Sequence, residues 1–371
     1  MNEAITHIAS QLPTMKPSRS LKLSSGSVLI TAAGFEDRTL ASARMVKRGS
    51  GQHVLVLRYK PKNKKNKLDE VVSSFVEKNF SVSSEDIVEF DRYDPEVFPA
   101  DLQARLTQLN PRHVIVDVSA MSKLAMLLCL DVCWKMNLST SVFYAEAKEK
   151  GPKREEYEKA KSEKNLHRPS IQVYTGIHGV VRVTRLSSVA MQGQPTAAIA
   201  FMSFNESLTQ VLLNAVYPTR LFLINGKSSA WVWREEATAW IHDLLRSEWP
   251  DADNPLIEEL NGSTALPSRA TSTINYAETV NALLDLYWRL AVDHRILLAP
   301  TGTKMQTLGC FFVKAMHPDI HIEYPTPEGF LDTYSEEVGD TWLIKLGPLR
   351  ITLDELRKKE RQSILKIGSG L

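Results

Sequence analysis

The chain has 371 residues, 43% hydrophobic and 24% charged, with a formal net charge of +2. That balance belongs to a folded globular protein long enough for two ordinary domains. It excludes a helical membrane span, since no apolar run approaches the roughly 20 residues needed, and near-neutrality leaves any polyanion preference to local clusters.

Residues 1–26 are polar and rich in Ser and Pro, with no basic-then-apolar leader pattern, and predict a lead-in helix and loop. The first strand is predicted at Ser27–Thr31, running into Gly34-Phe35-Glu36-Asp37-Arg38-Thr39 and a helix from about Leu40. Strands follow at His53–Tyr59, Ile87–Phe90, Val114–Val118 and Ser141–Ala145. Between them come helices from Leu68 to Lys78, Pro99 to Leu109, and an apolar one ending near Trp134. The segment from Glu146 to Ser170 is charged and mixed in sign, predicting a solvated helix or mobile loop. Residues 171–186 alternate on either side of Gly176 and Gly179, predicting an antiparallel hairpin.

The order then restarts. Strands are predicted at Ala197–Met202, Arg220–Ile224, weakly near Leu256, at Ile296–Leu298 and at Ile320–Tyr324. Helices are predicted up to Val216, from Trp231 to Arg246, after a Ser272 cap, and from Met305 to Ala315. Trp342–Leu346 reads as part of a second closing hairpin, and a charged helix ends the chain. Strands alternating with helices predict parallel sheets covered on both faces. Val114–Lys123 and Arg295–Lys304 superpose without gaps, and Gly34–Asp37 falls on Ser203–Glu206. The expected fold is therefore α/β, with two tandem Rossmann-like lobes, each ending in a β-hairpin and related by an internal pseudo-twofold duplication. Their expected boundaries are residues 27–190 and 191–350, with the charged helix at 351–371.

The chemistry centres on Thr301-Gly302-Thr303-Lys304, between a buried strand and a packed helix. Glycine permits close backbone approach, the helix N-terminus offers N–H groups, and Lys304 adds a positive charge, as a phosphate cradle requires. It is not a Walker A loop, because the leading glycine is missing and Met305 follows Lys304. Thr301, Gly302, Thr303 and Lys304 are candidate ligand residues, joined by Ser203 and Asn205 after the second lobe's first strand and by Ser119, Ser122, Lys123 and Arg38 in the first lobe. In open parallel sheets such loops share the ligand-binding edge at the strand carboxyl ends.

Glu36, Asp37 and Asp117 are candidate catalytic carboxylates that, with Arg38 and Lys123, could bind a divalent cation and hydrolyse a phosphodiester. The structural alternative is a salt bridge from Arg38 to Asp117. The Arg58–Lys67 run is a local positive patch able to steer a nucleotide or nucleic acid, or else a solvated loop; long nucleic-acid binding through it is not favoured, with only Tyr59 as an aromatic. Cys129, Cys133 and Cys310 lie in apolar helical runs and read as reduced core thiols of a cytoplasmic protein. Trp231, Trp233 and Trp240 read as core or as a partner-facing patch. No metal-spaced histidines and no Gly-x-Gly-x-x-Gly occur, which disfavours an NAD enzyme, and no cofactor is implied.

The Thr301-Gly302-Thr303-Lys304 turn, with Met202-Ser203-Phe204-Asn205 after an earlier strand, resembles the CRISPR-associated Rossmann-fold (CARF) sensors and their two-lobed SAVED relatives. The resemblance implies paired lobes whose turns hold a cyclic oligonucleotide, and a role in prokaryotic antiviral defence through a protein effector or a homo-oligomer. Ser119-Ala120-Met121-Ser122-Lys123 lacks the family's glycine, and no effector segment is recognisable. Three readings follow: a nucleotide second-messenger sensor, a metal-assisted nucleotide or phosphodiester hydrolase, and a structural subunit without a retained site.

Overall fold

A computed structural model describes residues 8–49, 52–163, 174–204, 206–248, 270–331 and 334–368, without the side chains of 243–248 and 363–368. In chain order the strands are β1 (Lys16–Pro17), β2 (Ser27–Ala32), β3 (Val54–Lys60), β4 (Ile87–Asp91), β5 (His113–Asp117), β6 (Ser139–Lys150), β7 (Ile177–Arg182), β8 (Thr196–Phe201), β9 (Arg220–Lys227), β10 (Ala270–Ser272), β11 (Arg295–Ala299), β12 (His321–Pro327) and β13 (Ser335–Pro348). They form two compact α/β units. The first comprises Pro13–Lys150 and Ser335–Leu356; the second comprises Met1–Leu12, Gly151–Tyr334 and Arg357–Leu371. This division differs from the contiguous lobes read from the sequence.

The first unit's sheet runs β4-β3-β2-β5-β6-β13-β1, with β2 to β6 parallel and β13 antiparallel to β6. β2 and β5 are buried along almost their whole length, because continuous Val, Leu and Ile runs suit strands covered on both faces. The helix Lys123–Lys135 packs within this unit, buried from Leu124 to Cys133. Asn110, in the left-handed region at φ 41°, ends the helix Phe98–Leu109 and turns the chain into β5. On one side of the sheet, Leu29, Val54, Val56, Val71, Phe75 and Phe143 form a continuous core.

The second unit's sheet runs β10-β9-β8-β11-β12-β7, parallel throughout except for β7, which is antiparallel to β12. Ala198, Ala200, Leu212, Leu223, Leu297 and Ala299 pack on one side of it. Its parallel strands follow the same spatial order as those of the first unit, third-second-first-fourth-fifth in chain sequence. Both units are thus Rossmann-like.

Several expectations are corrected. Among the described residues β7, which holds one arm of the first expected hairpin, pairs with β12, and β13, which holds Trp342–Leu346, pairs not in a hairpin but with the distant β6, over registers from Ser335↔Lys150 to Pro348↔Ser139. Alternation marks a strand but says nothing of its partner, which register and burial select across the chain. Glu146–Lys150 extends β6 instead of opening the charged segment, whereas Arg154–Ser162 is a helix, one of the two states expected there. Ser272 closes β10, and the following helix, Tyr276–Leu290, is capped by Asn275, whose side chain accepts from the Ala277 N–H. The strand predicted near Leu256 and the residues Ile171 and Val173 lie outside the described residues.

Candidate functional site

β8 and β11 are neighbours at the centre of the second sheet, with β9 outside the first and β12 outside the second. The chain leaves their carboxyl ends in opposite directions, which makes this edge the topological switch point where open α/β sheets bind ligands. β2 and β5 hold the same position in the first unit. The four loops singled out from the sequence therefore fall at the two switch points.

In the second unit the turn after β11 is built largely from its own side chains. The Thr301 hydroxyl is buried; it accepts from the Phe201 N–H at 2.9 Å and donates to the Phe201 carbonyl at 2.7 Å, fastening the turn to the end of β8. Thr303 is the N-cap of the helix Lys304–Met316, accepting from the Gln306 N–H at 3.2 Å, while Gln306 Oε1 accepts from the Thr303 N–H at 2.8 Å. That reciprocal capping box satisfies two end groups of the helix. The Thr303 hydroxyl also donates to the Thr273 carbonyl at 3.1 Å, and Gln306 Nε2 donates to Thr271 Oγ1 at 3.0 Å. A Cβ on Gly302 would lie 2.2 Å from Gln306 Oε1 and 2.7 Å from the Phe201 Cβ. The glycine is thus required by internal packing, whatever a ligand requires. Lys304 opens the helix at 9% exposure. Ser203 is half-buried in the loop after β8, and Asn205 lies outside the described residues.

Beyond that loop, Phe204 joins Tyr157, Trp233 and Trp240 in an aromatic cluster, so two of the predicted tryptophans are packed. The Arg234 guanidinium lies 4.6 Å from the Phe204 ring centre and 5.1 Å from that of Trp233, and donates to the carbonyls of Gly151 and Pro152. Burial lowers its pKa to about 10.

In the first unit Ser122 caps the helix Lys123–Lys135 by accepting from the Ala125 N–H at 3.1 Å. The Ser122 N–H donates at 2.7 Å to the hydroxyl of Tyr59, a buried residue at the end of β3. Burial pushes the Tyr59 phenol above its ordinary range. The Ser119 hydroxyl accepts from the Ala145 N–H at 2.8 Å. Lys123 is half-buried at the first helical position.

The three candidate carboxylates have separate partners. Glu36 is buried and accepts from Arg38 Nε at 2.7 Å and from the Ser335 hydroxyl. The expected Arg38–Asp117 bridge is therefore replaced by an Arg38–Glu36 pair two residues apart. Asp117 is buried in the sheet and accepts from Thr31 Oγ1 at 3.2 Å and the Ser119 N–H at 2.9 Å; burial pushes its pKa up. Asp37 accepts from Lys67 at 2.9 Å and from the Glu337 N–H at 3.2 Å, which hold its carboxyl below the usual range. Among the described residues no group of three or more His, Cys, Asp or Glu side chains is placed to hold a metal ion. Glu36 is buried in the loop after β2, Asp37 is exposed, and Asp117 is buried at the end of β5, so each of the expected carboxylates is committed to partners of its own.

Sequence reasoning missed Gln306 and Tyr59. Gln306 carried a usable signal, since Thr-x-x-Gln before an apolar run is a capping-box spacing. Tyr59 carried none, because 63 residues separate it from the amide it meets. The three cysteines are free and buried.

No known family and no curated protein matches the chain. Similar solved structures include a CobK precorrin-6A reductase, at 8% identity over 82% of this chain and 90% of that one, with a TM-score of 0.22. Another is a universal stress protein from Archaeoglobus fulgidus, at 10% identity over 81% of this chain and 96% of that one, with a TM-score of 0.21. Scores this low carry no argument about function. Among the described residues no helix is long and apolar enough to cross a membrane.

Proposed function

We propose that the protein is a binding module for a phosphorylated nucleotide ligand, of the second-messenger class suggested by the CARF and SAVED resemblance. One observation carries the reading. In both units a hydroxyl residue caps, and a lysine opens, a 13-residue helix leaving the fourth parallel strand at the switch point. Such a helix end offers about half a positive charge, and the lysine adds a whole one. The common strand order is what an internal duplication would leave. Lys304 is the principal phosphate contact, with Lys123 as its counterpart, and backbone N–H groups serve where Thr301 and Thr303 are engaged within the fold. Among the described residues the hydrolase reading has no metal-holding carboxylate group in its support. Antiviral defence and a protein effector remain with the resemblance.

The test combines thermal shift and product analysis against a panel of cyclic and linear oligonucleotides and common nucleotides. Wild type and Lys304→Ala are each compared with their own unliganded melting point. A ligand that raises the wild-type Tm, is recovered intact and has no effect on Lys304→Ala supports the sensor. Metal-dependent turnover would make the protein an enzyme. The absence of any shift across the panel overturns the proposal.

A further inference from the structure

The conspicuous basic run of the first unit is partly neutralised. Arg58 and Lys60 both reach Glu89, and Lys67 pairs with Asp37 at 2.9 Å. A different set of cations, scattered in sequence, is gathered by tertiary contacts. The Leu21 N–H donates to the Met45 carbonyl at 3.1 Å, and Leu21 bridges Val46 in parallel, which brings Lys22 beside Lys47 and Arg48. Lys78 Nζ donates to the carbonyls of Ala43, Arg44 and Val46 at 2.5, 3.0 and 3.1 Å, and the Gly49 N–H donates to the Lys78 carbonyl at 2.7 Å. Lys22, Arg44, Lys47 and Arg48 are exposed. None of the four has an ion pair among the described residues, nor does the neighbouring Glu77.

We infer that this cluster is a docking surface for the phosphate backbone of nucleic acid, gripped without regard to sequence. Arg44 feels Asp37 and Glu77 lies nearby, but the cations outnumber these carboxylates and form no ion pair with them, so they repel one another, and a polyanion relieves that repulsion while releasing its condensed cations. Exposed Ser20, Ser24 and Ser25 lie on the same lead-in segment as Lys22 and can donate to phosphate oxygens. The neighbouring aromatics, Phe75 and Phe80, are packed against each other in the core, leaving no platform on which bases could stack. A lipid surface fits less well, because Leu21 and Val46 are buried and Val76 is the one large, well-exposed apolar side chain close in sequence to the cluster among the described residues, too little to insert. Lys22, Lys47 and Arg48 lie just before β3, at the edge of the sheet opposite the switch point, with Arg44 on the helix that leads there from the switch-point loop, so the inference does not rest on the nucleotide reading.

The test is fluorescence anisotropy of a labelled random-sequence DNA duplex titrated with the full chain at about 50 and 200 mM salt. Four phosphate contacts predict an affinity loss of about 150-fold across that range, and the Lys47→Ala/Arg48→Ala variant, with two contacts left, about 12-fold. Both residues are exposed, so the variant should keep the wild-type melting point. Lys62→Ala/Lys64→Ala, in the other basic run, should keep the full salt dependence. The inference is overturned by three outcomes: no duplex binding at the lower salt, an unchanged salt dependence in Lys47→Ala/Arg48→Ala, or sedimentation with phosphatidylserine vesicles in place of duplex binding.

Discussion

Replacing Gly302 by Ala separates a glycine kept for a ligand from one kept for the fold. Its φ is outside the left-handed region, so alanine meets no backbone penalty, and any cost is steric. The added methyl would lie 2.2 Å from Gln306 Oε1, forcing that side chain away and breaking its bonds with the Thr303 N–H and Thr271 Oγ1. Each lost bond costs about 1 kcal/mol. The remaining overlap, 2.7 Å to the Phe201 Cβ, involves an atom fixed to the end of β8 and adds about 1–3 kcal/mol of overpacking. Against this, alanine restricts the unfolded chain by up to about 1 kcal/mol. The net expectation is a loss of about 2–5 kcal/mol, read by urea denaturation followed through tryptophan fluorescence. Adding Gln306→Ala should cost less in the Gly302→Ala background than in wild type, since the displaced bonds are already gone. A Gly302→Ala variant as stable as wild type would refute the packing argument and leave backbone approach by a ligand as the reason for the glycine.

Three further expectations follow from the first unit. Tyr59→Phe leaves the part-buried Ser122 N–H without its acceptor and should destabilise by about 1 kcal/mol in the same assay; a change below half of that figure would mean that another group takes the amide. For Asp86, burial alone would raise the pKa, but bonds from the Ser83 N–H and Arg105 outweigh it and hold the carboxyl below its ordinary value. A depressed folded-state pKa stabilises fully above the ordinary carboxylate range and is lost as pH falls through the folded value. Asp86→Asn should therefore be less stable than wild type at pH 7, with the gap narrowing below about pH 4 in acid titrations of Tm. Burial pushes the Cys133 thiol up to about 12, and Cys129 is raised as well, so thiol reagents should label neither until the protein is unfolded.

Much of the fold is legible without coordinates, and for a local reason. Val28–Ile30, Val114–Val116 and Ile296–Leu298 are continuous apolar runs that can satisfy their surroundings only as covered strands. Ser122 and Thr303 mark helix starts because a hydroxyl side chain can accept a bond from a helix-end amide three residues away. These signals need no distant partner, and they were enough to place the switch-point loops. The candidate site was legible only in outline. Thr301 and Gly302 answer to Phe201, Asp117 to Thr31, and Glu36 to Arg38 and Ser335; all but the Arg38 contact span 86 residues or more. Local spacing cannot choose such partners, because one side chain can meet many others at equal cost until the sheet order is settled. Tertiary structure alone therefore decided that β13 completes the first unit's sheet, that the predicted basic run is partly neutralised, and that Lys22, Arg44, Lys47, Arg48 and Lys78 share one surface.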